Sequence, residues 1–313
     1  MRNFSLWVDY LDRGFLADGL DKYLGSARGI TTNPAIFKAA FGASKLYEKE
    51  IADLKKQKLN AKKIYETLAI VDVRNAADKL RPFFNKVDGF VSIEVDPAFA
   101  KDAASTIEEA KRLYKAIGRE NVMIKIPATS EGFIAIRELL LLKIPTNATL
   151  IFAPDQTKRV LRAAQNCDTP LVISVFVSRF DRAIDEKISE KLRLKTGIMN
   201  AANHYNLVQN SGVKNARILF ASTGVKGANP AADYYIRELA GENSINTAPL
   251  NAIDRFINGV AAEPKLPIAQ GVIDDFFAAL ESEGIDFGAL CDLLLAEGLA
   301  QFEAAFLDIL RQF

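Results

Sequence analysis

The chain has 313 residues, 49% of them hydrophobic and 25% charged, and its 40 basic and 39 acidic side chains leave a formal net charge of +1. This is enough apolar material for a large core, with no electrostatic footing for nucleic acid or an anionic membrane. Two distant cysteines, Cys167 and Cys291, argue against a disulfide framework or zinc site and fit a reducing cytosol.

In chain order, Asp9 and Asp12 arrive before any signal-length apolar run. Strands are predicted at 5–10, 29–33, 89–96, 121–127, 147–152, 171–176, 217–222 and, more weakly, 244–247. Amphipathic segments such as 101–117 and 155–164 lie between them, at steps close to one βα unit. The interval 35–88 has room for an extra helix, and 178–216 for one long helix. The charge run 48–58 reads as a solvated helix face. The densest apolar stretch, 139–142, is too short to span a bilayer. Segments 254–259 and 272–313 read as helical and are expected to cap or flank the sheet. With no linker, repeat or low-complexity segment, the expectation is an α/β chain forming a single (β/α)8 TIM barrel domain over 1–313. It carries extra helices, including a C-terminal helical segment.

Side chains alternate faces along a strand, so parity sorts the polar residues. Val122, Ile124 and Ile126 share one face, which leaves Lys125 pointing into the barrel. Ser92, Glu94 and Asp96 fall together, opposite Ile93 and Val95. Asn147 and Thr149 oppose Ala148, Leu150 and Phe152. Asp9 opposes Val8 and Tyr10, Asn33 follows Thr31 on its face, Ser174 pairs with Phe176, and Ser222 ends the seventh strand. All lie toward C-terminal strand ends, where barrel enzymes build their sites. A lone strand Asn or Thr is ordinarily a satisfied polar residue, but seven strands repeating the pattern make chance a poor account. Ionisable groups inside a barrel are costly unless they face a solvated pocket, which makes them functional candidates.

The chain lacks a metal-ligand cluster, a G-x-S-x-G elbow and a Walker loop. Its one histidine, His204, falls in a predicted helix at 196–209 and reads as structural or exposed. A single histidine argues against metal-dependent aldol chemistry. An amine with carboxylates, hydroxyls and amides suits carbonyl chemistry through an imine. Two segments have the make-up of phosphate grips. Arg179 follows the sixth strand, and Ser222-Thr-Gly-Val-Lys-Gly227 follows the seventh, with Asn229-Pro230 as a plausible helix start.

Gly29-Ile-Thr-Thr-Asn-Pro34, Ser92-Ile-Glu-Val-Asp96, Val122-Met-Ile-Lys-Ile-Pro127, Thr146-Asn-Ala-Thr-Leu-Ile-Phe152, Ser174-Val-Phe-Val-Ser-Arg179 and Asn246-Thr-Ala-Pro249 resemble, in order, the motifs of the transaldolase family. The resemblance covers essentially the whole chain. It implies that Lys125 is a Schiff-base lysine and that Glu94 is a general acid/base acting through a water held by Thr149. Asp9 would take the proton of the hydroxyl beside the cleaved bond. Asn33, Asn147 and Ser174 would hold substrate hydroxyls, Phe176 would line the pocket, and Arg179 and Ser222 would bind phosphate. The family's commonest pattern places a second phosphate arginine where this chain has Gly224, so Lys226 is the candidate replacement, though as a point charge rather than a fork.

The implied reaction moves a dihydroxyacetone unit from sedoheptulose 7-phosphate to glyceraldehyde 3-phosphate, in the non-oxidative pentose phosphate pathway. It calls for no cofactor and no metal. The implied partners are sugar phosphates in the cytoplasm, without nucleic acid or membrane, and the oligomeric state stays open between monomer and homodimer. One alternative is a fructose-6-phosphate aldolase-like lyase; those relatives are shorter and typically carry Gln at the place of Glu94 and Tyr at that of Phe176. The other is a non-catalytic sugar-phosphate-binding barrel, which would have no use for Lys125, Glu94 and Asp9 together.

Overall fold

In the computed structural model, which describes residues 4–225 and 230–313, eight parallel strands follow one another in chain order round a closed barrel. They are β1 (Ser5–Val8), β2 (Ala27–Thr31), β3 (Val91–Glu94), β4 (Val122–Pro127), β5 (Thr146–Ile151), β6 (Leu171–Phe176), β7 (Ala216–Ala221) and β8 (Ser244–Ala248). Every expected strand forms. The eighth pairs with both β7 and β1, and so closes the sheet.

The intervening α-helices are α1 (Pro34–Ala43), α2 (Glu48–Lys56), α3 (Ala61–Leu80), α4 (Ala103–Ile117), α5 (Ser130–Leu141), α6 (Pro154–Ala163), α7 (Ser178–Ile184), α8 (Thr196–Gln209), α9 (Tyr234–Glu238), α10 (Leu250–Ile257), α11 (Gln270–Ser282) and α12 (Phe287–Leu310). Their starts follow local chemistry. Asn33, Asn60, Asp102, Thr129 and Asp286 each accept a first-turn N–H, and Pro34 and Pro154 occupy first helical positions where no N–H is needed. Gly118 ends α4 in the left-handed conformation, at φ 65°.

Two helix expectations need correction. The interval 35–88 holds three α-helices, because Asn60 starts α3 anew after α2. The interval 178–216 holds α7 and α8 instead of one long helix. Asp185 there accepts the backbone N–H of Leu194, whose φ is 61°, and folds the connection into a compact turn. The C-terminal segment is helical as expected, in two pieces, α11 and α12, divided at Gly284 (φ 85°), with Asp286 capping the second. The charge run on α2 is only partly a solvated face, since Glu50 pairs with Arg13 at 2.7 Å.

Val8, Ile30, Ile93, Ile124, Ile173 and Phe220 face outward into the layer beneath the helices. The inner layer is apolar at its base: Trp7, Met123, Val172, Leu219 and Ile245 pack together. Gly29 makes room for Trp7, because a Cβ there would sit 2.5 Å from the indole. Below this layer, Asp88 accepts from Ser5 Oγ (2.6 Å), Trp7 Nε1 (2.9 Å) and Arg217 Nη1 (3.3 Å), which plugs the N-terminal end. Polar groups at that end of a barrel serve stability.

Two parity expectations fail at strand ends. Asp96 lies beyond β3, caps the following turn at Ala98 N and turns outward to Lys62 at 2.6 Å, away from Glu94. In β5 the pairing with β6 shifts between Ala148 and Ile151, and Leu150 takes φ 57°. This bulge moves Leu150 and Phe152 into the cluster of Phe176 and Phe180, leaving Ile151 on the side of Ala148.

Helix α12 crosses the C-terminal mouth of the barrel. It is tied to α1 by Lys38–Asp308 at 2.6 Å, and its Phe306 meets Tyr65 edge-on at 5.1 Å. No helix among the described residues is long and apolar enough to cross a membrane.

Candidate active site

A cavity of about 200 Å³ opens at the C-terminal mouth, with Asp9, Asn33, Lys125, Thr149, Ser174 and Phe176 in its wall. Glu94, Lys125 and Asn147 stand in register on β3, β4 and β5. Neighbouring strands lie roughly 4.8 Å apart, so the three side chains project side by side. Lys125 Nζ is 2.7 Å from Glu94 Oε1 and donates to the carbonyl of Thr32 at 2.8 Å. Burial pushes the Glu94 carboxyl up, opposed by the charge and contact of Lys125. Its Oε2 has no hydrogen-bond partner among the described residues.

Asp9 follows β1, and its N–H donates to Ala248 O at 2.9 Å. Its Oδ1 accepts from Thr31 Oγ1 at 2.7 Å, and Thr31 Oγ1 lies 2.6 Å from Thr247 Oγ1. Burial raises the Asp9 carboxyl, while the Thr31 hydrogen bond and the charge of Lys125 pull it down. Thr149 Oγ1 is buried and unpartnered among the described residues, leaving its hydrogen-bonding capacity for a guest. Ser174 Oγ donates to Asn147 Oδ1 at 2.6 Å, and Asn147 Nδ2 donates to Ser92 Oγ at 3.2 Å. Asn33 spends one acceptor on Ile36 N at 3.0 Å while lining the cavity.

Phe176 packs against Phe152 at a 45° tilt with centroids 5.3 Å apart, and the Arg179 guanidinium lies 5.0 Å from its ring centroid. Arg179 has no ion pair or hydrogen bond among the described residues, and burial lowers its basicity. Ser222 turns at φ 57° directly after β7, placing its Oγ 3.1 Å from Ser178 Oγ. Lys226 and Asn229 lie outside the described residues. The expected helix start at Asn229-Pro230 falls partly there, and the next described helix begins at Tyr234.

His204 resolves as structural. It is fully buried; its Nδ1 accepts from Thr157 Oγ1 at 2.7 Å and its Nε2–H donates to Phe152 O at 3.1 Å. Burial pulls its pKa to about 4, so the ring is neutral. Among the described residues no three His, Cys, Asp or Glu side chains could hold a metal ion together.

Several wall residues escaped the sequence reading. Gln301, Phe302 and Ala305 come from α12, and nothing local reveals where a C-terminal helix lands. Arg182, exposed beside Ser222 and outside the cavity wall, had a usable signal: it lies three residues after Arg179, on the same helical face.

An amine beside a carboxylate, a second carboxylate across the cavity and a guanidinium at the rim together suit imine chemistry on an anionic carbonyl compound. Residues 6–313 match the family described as Transaldolase/Fructose-6-phosphate aldolase. A protein named Transaldolase from Campylobacter jejuni subsp. doylei is 44% identical, with 99% of each chain covered. Another protein of that name, from Helicobacter pylori strain P12, is 41% identical over 100% of both chains.

Proposed function

The chain belongs to the transaldolase/fructose-6-phosphate aldolase family, and from that premise we propose that it works as a transaldolase with Lys125 as the imine-forming amine. Its donor is sedoheptulose 7-phosphate and its acceptor glyceraldehyde 3-phosphate, giving erythrose 4-phosphate and fructose 6-phosphate. The observation that carries this reading is the buried Lys125 amine 2.7 Å from Glu94, in a cavity that also holds Asp9.

The Lys125 ammonium passes a proton to Glu94, and the free amine adds to the donor's C2 ketone. Loss of water, with protons moved by Glu94 through a water on Thr149, leaves an iminium. Asp9 then takes the proton of the C4 hydroxyl. The electrons of the C3–C4 bond flow to the iminium nitrogen, and the aldehyde departs. The resulting enamine attacks the acceptor aldehyde, whose oxygen takes the proton back from Asp9. Hydrolysis of the new iminium frees the product and Lys125. Asn33, Asn147 and Ser174 hold substrate hydroxyls, while Arg179 and Ser222, with Lys226 from the loop beyond, grip the phosphate.

Transfer is favoured over lyase activity by Phe176, whose ring offers no proton to the enamine. The free thiols of Cys167 and Cys291 suit a reducing cytosol, and α12, bridging α1 and the mouth, supports reading 1–313 as one domain. The test combines both sugar phosphates with a chelator present and follows fructose 6-phosphate and free dihydroxyacetone in parallel. Fructose 6-phosphate as the main product is expected; its absence, or mostly free dihydroxyacetone, would overturn the reading.

A further inference from the structure

Arg179 and Arg182 leave α7 on one face, three residues apart. Arg182 Nη2 reaches within 3.5 Å of Ser222 Oγ, the hydroxyl that also meets Ser178 Oγ at 3.1 Å. Ser178 N donates to Ser222 O at 3.0 Å, so the turn after β7 is fastened to the first residue of α7. Neither guanidinium has an ion pair among the described residues. The carboxylates whose fields reach them are Glu297, acting on Arg179, and Asp181, acting on Arg182. Asp181 already accepts from Gly197 N at 3.0 Å and Tyr235 OH at 2.7 Å. Two like charges held together repel, and a dianion between them would reverse the sign of that interaction.

Gly224 supplies a second, independent observation. A Cβ at this position would meet Pro249 Cγ at 3.2 Å and Cδ at 3.6 Å, so any side chain here starts against a rigid ring. A side chain at this position would start in tight contact with Pro249, whose ring would have to give by a few tenths of an ångström, whereas α7 already presents a cation beside Ser222.

We propose that Arg182 is the second phosphate-binding cation of the site, acting with Arg179, Ser222 and Ser178. The inference rests on the sugar-phosphate reading above. A guanidinium here supplies a two-pronged donor that a lysine cannot.

The test measures fructose 6-phosphate and unphosphorylated fructose as donors, and inorganic phosphate as competitive inhibitor, for wild type, Arg182→Ala, Arg182→Gln and Arg182→Lys. Arg182→Gln preserves most of the side-chain stem and guards against a folding artefact. Expected are a rise in the KM for fructose 6-phosphate and a matching loss of phosphate inhibition, on the order of tenfold or more, as for a lost charge-assisted hydrogen bond. The ratio of kcat/KM for phosphorylated over plain fructose should fall with them, and Lys should restore only part. An unchanged inhibition constant, or equal losses on both donors, would overturn the proposal. Borohydride trapping of dihydroxyacetone on Lys125 separates the two levels. If wild type and variants trap alike while the phosphate effects are missing, Arg182 fails alone; if wild type traps nothing, the functional reading fails.

Discussion

Lys125 and Glu94 stand in register on adjacent strands, with Nζ 2.7 Å from Oε1 inside the barrel. The pair can exchange a proton without moving a backbone atom. Borohydride reduction in the presence of fructose 6-phosphate should therefore leave a three-carbon adduct on Lys125. Lys125→Ala should lower transfer by a factor on the order of 10³ or more, as loss of a nucleophile does elsewhere. Peptide mapping decides it, and an adduct on another lysine with Lys125→Ala still active would sink the mechanism.

Glu94→Gln keeps the shape of the side chain but removes its proton traffic. Imine formation and hydrolysis should slow by about 10²- to 10⁴-fold, the range for a lost general acid/base. Single-turnover trapping measures the step directly. A variant that forms the adduct at the wild-type rate would assign the proton transfers elsewhere.

Phe176 lines the same cavity as Lys125, and on the proposed mechanism it sets hydrocarbon beside the enamine where a phenol would offer a proton or hold a water. Phe176→Tyr should raise free dihydroxyacetone relative to transferred product at fixed acceptor. An unchanged ratio in a normally folded variant would remove protonation at this residue as the reason for the partition.

Arg179 approaches α12 closely: a Cβ on Gly298 would lie 3.3 Å from its Nη1. Arg179→Ala should raise the KM for phosphorylated donors far more than for their plain analogues. Steady-state kinetics on both donor types is the check, and equal losses would mark the side chain as structural.

Asp181, buried between α8 and Tyr235, has its carboxyl pushed up to about 6 by burial. In the unfolded chain an aspartate titrates near about 3.9. Between these values the native state binds more protons than the unfolded state, so stability falls as pH rises through the window. Above it the ionised, buried group costs about 3 kcal/mol. Asp181→Asn lacks this titration. Urea unfolding at pH 4 and pH 7.5 should show wild type losing ground to the variant at the higher pH, and a difference independent of pH would refute the assignment.

Strand positions were legible because alternation is a local property of an extended backbone. The parity that turns Lys125 inward is the same one that sends Ile124 and Ile126 outward. It misled at Asp96 and Leu150, where the strand ends or bulges and alternation stops applying. The count of helices in 35–88 and 178–216 was missed because a cap such as Asn60 or a turn such as that at Leu194 divides a long amphipathic run without changing its composition.

The linear order of residues carried the eight βα units, the inward lysine and the family motifs, since each depends on neighbours within one element. Tertiary packing set Glu94 level with Lys125, brought Arg182 to Ser222 and laid α12 across the mouth to add Gln301, Phe302 and Ala305 to the wall. Those relationships join residues tens to hundreds of positions apart. Strand register, the turn after β7 and the landing place of α12 are settled by how whole layers pack, a quantity that no local periodicity encodes.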